Sequence, residues 1–115
     1  MSFVPACALA DVPTDQALAV TLGRYEVAVA RNGDEVFALQ DLCSHAEVAL
    51  SEGDVAECQI ECWLHGSMFD LRTGKPTNLP ATEPVATFPI EIRDVDGRPE
   101  VWIDVDTTLN GVTPA

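Results

Sequence analysis

Both histidines of this chain sit just after cysteines, and that pairing limits what the chain can fold around. Cys43-Ser44-His45 gives Cys-x-His, and Cys62-Trp63-Leu64-His65 gives Cys-x-x-His. Sixteen residues separate His45 from Cys62. Each short spacing puts two ligands on one tight loop, so two loops can clamp a centre between them. Two thiolates and two imidazoles form a mixed soft and borderline set that suits zinc, copper or an iron–sulfur cluster. Gly66 follows the last of the four and permits close backbone approach.

The rest of the chain reads as a scaffold for those loops. At 115 residues it makes one domain, and a chain this long buries roughly 65% of its unfolded surface. Runs rich in Val, Ile and Phe recur between turn signals, as in an all-β protein. Strands are expected near Phe3–Cys7, Ala17–Thr21, Glu26–Ala30, Val36–Gln40, Val85–Arg93 and Glu100–Val105. Arg31-Asn32-Gly33-Asp34 carries the Asn-Gly pair of a type I′ hairpin. Asp94-Val95-Asp96-Gly97 joins the last two strands, and Phe88, Ile90 and Ile92 fall on one face by the two-residue period. Asp41–Pro84 is a loop-rich insert where only short strands fit, near Val55–Glu61 and Ser67–Leu71. The small, polar end from Asp106 to Ala115 is expected to fray, which sets a domain of 1–106 and a disordered tail of 107–115.

Charge removes several function classes. Six Lys and Arg stand against nineteen Asp and Glu, a net −13. Nucleic acid and anionic membrane surfaces would repel such a chain. No apolar run is long enough for a membrane span. Met1-Ser2-Phe3-Val4-Pro5 has neither a basic nor an apolar leader region, so the expected location is the cytoplasm. There, clustered Cys and His point to metal or catalysis rather than to a disulfide framework.

The two motifs, their gap and the downstream Gly66, Ser67, Phe69 and Asp70 resemble the Rieske family signature. The resemblance runs from Phe3 to about Asp106. It implies an all-β Rieske [2Fe–2S] fold of antiparallel sheets with a cluster-binding insert at about 41–84. It also implies one [2Fe–2S] cluster, with Cys43 and Cys62 on one iron and neutral His45 and His65 on the other. Replacing two thiolates by imidazoles raises the potential above that of plant-type ferredoxins. The solvent-facing edges of the two histidines are the implied exit for the electron. Ser67 stands where the family's sulfur-bonding serine sits. Pro80 belongs to Leu79-Pro80-Ala81-Thr82-Glu83-Pro84, matching a proline-bearing loop that covers the cluster. Trp63, between two ligands, fits either a partner contact or a residue packed over the loop.

Two family features that raise the potential are missing. Val48 and Leu64 stand where high-potential members carry an extra disulfide, and Phe69 replaces a Tyr whose hydroxyl bonds a ligand sulfur. No basic residue lies between Arg31 and Arg72, whereas Asp41, Glu47, Glu52, Asp54, Glu57 and Glu61 do. Acidic surroundings disfavour an added electron. The expected potential is therefore in the lower part of the family's span of about −150 to +300 mV.

The leading reading is a monomeric, soluble electron carrier rather than an enzyme. Its implied partners are a flavin-dependent ferredoxin reductase and a Rieske non-heme iron oxygenase. A second resemblance, in the stretches 61–67 and 79–84, is to small Rieske proteins encoded with iron–sulfur cluster assembly machinery, with assembly proteins as partners. The competing class is a structural Cys₂His₂ zinc module, although zinc fingers usually space Cys pairs and His pairs separately. Cys7 and Cys58 are read as small buried hydrophobes, and Trp102 as core.

Overall fold

Four two-residue turns decide where the strands fold back. The computed structural model describes residues 3–44, 47–64, 66–79 and 81–114. The described residues form ten strands and two single 3-10 turns, at Leu9–Asp11 and Leu50–Glu52. Strands β2 (Ala17–Leu22), β3 (Tyr25–Asn32) and β4 (Glu35–Gln40) form a meander. Gly23 (φ 63°) opens its first turn and Gly33 (φ 62°) its second. Asn32 pairs with Glu35, so the second turn is Gly33-Asp34 and not the Asn-Gly pair expected from sequence. Positive φ falls on Gly33 and not on Asp34, the type II′ arrangement. Asn32 is used elsewhere, its Oδ1 accepting the Cys58 N–H at 3.2 Å. The last hairpin joins β9 (Ile90–Val95) to β10 (Arg98–Ile103). Asp96 (φ 54°) and Gly97 (φ 82°) give it the type I′ turn.

The long strand expected over Val85–Arg93 is two strands. β8 (Thr87–Phe88) pairs with β4, and β9 pairs with β10. Pro89 lies between them and cannot donate to a ladder, so the chain changes sheets there. Phe88 is buried and Ile90 packs against the same core, whereas Ile92 is 44% exposed, so the expected common face ends at Ile90. The strand expected over Val55–Glu61 is likewise a hairpin of β5 (Val55–Ala56) and β6 (Gln59–Glu61). β7 (Met68–Asp70) adds to β6 and completes the small sheet of the insert. The sheets are ordered β1-β10-β9, β2-β3-β4-β8 and β5-β6-β7, where β1 is Val4–Ala8. β1 is an edge strand, which lets Pro5 sit in it without a lost ladder bond.

β3 is the middle of the molecule. Val27 and Val29 join one core with Ala38, Phe88, Val101 and Ile103. Ala28 and Ala30 face the other way, into a core with Leu39, Cys43, Leu50, Cys62, Phe69 and Leu71. Successive strand residues point to opposite faces, so Val-Ala-Val-Ala serves both cores at once. The alanines let the insert pack close, and the valines fill the space below the β1-β10-β9 sheet.

Several expectations about single residues change. Trp102 is only partly buried, with the Arg93 guanidinium 4.3 Å from its ring centre. Cys7 and Cys58 are partly buried at the margins of the two cores. The end of the chain, expected to fray, is tied down by Asn110. Its Nδ2 donates to Thr73 O (2.8 Å) and Val85 O (2.9 Å), and the Leu109 N–H donates to Thr87 O.

The turn Glu57-Cys58 has positive φ at both residues (53° and 61°), and neither is Gly. Non-Gly residues pay for this conformation. Asn tolerates it better than Glu, and Glu57 is exposed. Glu57→Asn is therefore expected to stabilise the fold by about 1 kcal/mol, read as a higher midpoint in urea unfolding with an unchanged slope.

Candidate metal centre

Three loops meet around the two cysteines. The first follows β4. Cys43 is buried, and its N–H closes the loop on Val48 O at 2.9 Å. The second lies between β6 and β7. Cys62 has no exposed surface. Its N–H donates to Ser67 O (2.7 Å), and its O accepts from Gly66 N (2.9 Å). Gly66 has φ 78°, the left-handed conformation that this tight return needs. The third runs from Thr77 to Val85. Cys43 and Cys62 lie in one buried cluster with Phe69, Leu50 and Ala81, and neither is in a disulfide.

The third loop is bonded to both others. The Ser44 hydroxyl, between the two residues of the first motif, donates to Glu83 O at 2.6 Å. The Ala81 N–H donates to Ser67 Oγ at 3.0 Å, with Ser67 fully buried. Asn78 accepts from Met68 N (2.6 Å) and donates to Gly66 O (3.1 Å). Gln40 supports the base of the assembly. Its Nε2 donates to Leu42 O, and its Oε1 accepts from Ala86 N. Of the residues read from sequence, Cys43, Cys62, Gly66 and Ser67 are brought together here. Trp63 is on the same loop and half exposed. His45, His65 and Pro80 lie outside the described residues. Val48 packs beside the core, Leu64 is exposed, and Phe69 is buried with the two cysteines.

Asn78, Gln40 and Ser44 were missed by the sequence reading. Asn78 bonds residues ten and twelve positions earlier, and no local pattern announces such a contact. Ser44 was in view inside Cys-x-His, but its partner lies 39 residues away.

Outside the loops, Arg72 ties the insert to the β3–β4 hairpin. Its guanidinium meets both Glu35 carboxylate oxygens at 2.8 and 3.0 Å and lies over the Phe37 ring. Hydrogen bonding from Arg72 holds the Glu35 carboxyl below its usual range. Burial pushes the nearby Cys58 thiol up, Arg72 opposes this, and Asp70 and Glu35 reinforce it. A raised thiol is a poor nucleophile at neutral pH.

Two buried thiols on facing loops, walled by apolar side chains, form a water-poor site for a soft metal centre. This is a β protein whose insert is built to hold such a centre. The profile of the Rieske [2Fe-2S] domain family matches residues 2–89, and the chain belongs to that family. It is 46% identical over 97 residues to the anthranilate 1,2-dioxygenase ferredoxin subunit of Burkholderia cepacia, covering 84% of this chain and 88% of the relative. Among solved structures it is similar to the ferredoxin of carbazole 1,9a-dioxygenase from Nocardioides aromaticivorans IC177. The TM-score is 0.75 at 35% identity, covering 88% of this chain and 97% of the other. A complex of reduced oxygenase and oxidized ferredoxin in carbazole 1,9a-dioxygenase matches at TM-score 0.74 and 34% identity, over 88% of this chain and 91% of that one. The cofactor of this family is one [2Fe–2S] cluster, and the buried thiol pair fits it.

Removing the Asn78 amide leaves Met68 N and Gly66 O to find other partners, at a cost of about 1–3 kcal/mol. Asn78→Ala is expected to lower the unfolding midpoint. It should also speed bleaching of the visible absorbance in excess chelator, because the second loop then opens more often.

Proposed function

We propose that this chain is a one-electron carrier that takes electrons from a flavin-dependent ferredoxin reductase and delivers them to a Rieske non-heme iron oxygenase. Cys43 and Cys62 are the thiolate ligands in this reading, and His45 and His65 the imidazole ligands. Gly66 gives the second loop its return, Ser67 joins that loop to the third, and Pro80 is assigned to the cover by the family pattern alone. The insert occupies about 41–84, and the domain extends past Asp106 to Val112, which packs on the core. A cytoplasmic location follows from the need for a soluble reductant and reduced thiols. Among the described residues no helix is long and apolar enough to cross a membrane.

The observation that carries the reading is the burial of Cys43 and Cys62 in one apolar cluster, on loops that a third loop stitches together. When bound, the cluster supplies a one-electron couple. The residues around it would exclude water and hold the three loops together. The ferredoxin subunits of aromatic-ring dioxygenases among its relatives favour the oxygenase partner over an assembly role.

The dithionite-reduced protein is expected to give a Rieske EPR spectrum, with two irons and two acid-labile sulfides per chain in this ligand assignment. Cys62→Ser should lose both spectrum and sulfide. A colourless protein holding stoichiometric zinc would overturn the reading.

Trp63, 50% exposed beside the second ligand pair, is read as the docking contact, since exposed aromatics dominate interface energies. Trp63→Ala is expected to cut electron delivery to the partner oxygenase by about tenfold or more. The midpoint potential should stay in place, which separates docking from tuning.

A further inference from the structure

The acids around the first loop are not equivalent. Glu47, Glu52, Asp54 and Glu57 are exposed, and Glu61 is partly exposed. Asp41 is 5% exposed. It lies two residues before Cys43, so their Cα atoms are no more than about 7.6 Å apart, two peptide steps. Its Oδ1 accepts from Ser51 N at 2.7 Å, and its Oδ2 accepts from Ser51 Oγ at 2.7 Å. Its own N–H donates to Glu26 O. Both oxygens act as acceptors, the pattern of a carboxylate. Neither of the two ion pairs among the described residues includes it. Among the described residues its oxygens are met by the Ser51 dipoles and by no cation.

We infer that Asp41 is a positioning and tuning residue. It clamps the first ligand loop to Ser51, and its buried charge supplies the main local field that holds the electron affinity of the site down. The inference rests on the ligand assignment proposed above. A charge at the surface is screened by water and salt within about 10 Å at 0.1 M ionic strength, whereas a buried charge is screened far less. Coulomb energies at a given separation grow several-fold as the surroundings change from water to protein. The potential should therefore follow Asp41 more than the acids beside it.

Asp41→Asn keeps the shape, one acceptor for Ser51 N and a donor that Ser51 Oγ can accept. Glu47→Gln is the control, because Glu47 stands two residues from His45 but is exposed. The measurement is a voltammetric midpoint for each, with EPR confirming an intact Rieske spectrum. Asp41→Asn should raise the electron affinity by about tenfold, ~59 mV for one electron. Glu47→Gln should change it by less than about threefold. Equal shifts in the two variants, or none in Asp41→Asn with its spectrum intact, would overturn the inference. If Asp41→Asn does not hold a cluster, the wild-type protein decides the matter in a salt series. A midpoint nearly constant with ionic strength supports the buried charge, and one climbing by a tenfold equivalent assigns the field to the surface acids. Loss of the Rieske spectrum in wild type itself would instead overturn the ligand assignment.

Discussion

The burial of β3 on both faces is the constraint from which the rest of the architecture follows. A strand with one wet face could carry either the β1-β10-β9 sheet or the insert, but not both. Here Val27 and Val29 meet one neighbour while Ala28 and Ala30 meet the other, all without exposed surface. β4 repeats the arrangement, with Ala38 on the valine side and Leu39 on the alanine side. A one-residue slip in the register of β3 would exchange the two faces and unseat both cores together. The insert, whose strands run only two or three residues, gains its stability from this shared wall and not from its own sheet.

From that wall the first two loops are each closed by backbone bonds, and side chains tie the third loop to them. Cys43 N meets Val48 O, Cys62 N meets Ser67 O, and Ala81 N meets Ser67 Oγ. Such bonds are short-range and directional, and in a buried site leaving one unmade costs more than making it gains. The loops consequently behave as a unit. Ser44 is part of this unit because its hydroxyl reaches the third loop from inside the first motif. A centre held this way does not need flexible cover to exclude water.

How much of this could be read from the sequence depends on how far apart the partners are. The Cys-x-His and Cys-x-x-His spacings are local, so the paired loops, the family and the β-rich scaffold were legible directly. The Asp96-Gly97 turn was legible for the same reason. The Glu57-Cys58 turn was not, because neither residue favours positive φ. What supports it is distant: Asn32 accepts the Cys58 N–H, and Cys58 O accepts from Leu71 N. The change of sheets at Pro89 had its signal in view, a proline inside an apolar run. The pattern of Phe88, Ile90 and Ile92 outweighed it, since periodicity cannot show which sheet a strand joins. Asn110 tied the end of the chain through partners 23 to 37 residues away, where composition alone gave only a polar tail.

Net charge and local surface act on different stages of the proposed partnership. A charge of −13 spreads a field well beyond the molecule at low salt and steers it toward a basic surface. That field carries little orientation of its own, because the acids are distributed along the chain. Orientation has to come from the surface beside the ligand loops, where Trp63, Leu64 and Leu79 are exposed alongside the polar Glu47, Thr82 and Glu83. Leu79 follows Asn78, whose amide is bonded to Gly66 O, so the third loop brings it up to the second. Burying Trp63, Leu64 and Leu79 against a partner rewards only the arrangement that brings the ligand loops close to the acceptor. Acidity then governs how often the partners meet, and the three apolar side chains govern which meetings can pass an electron.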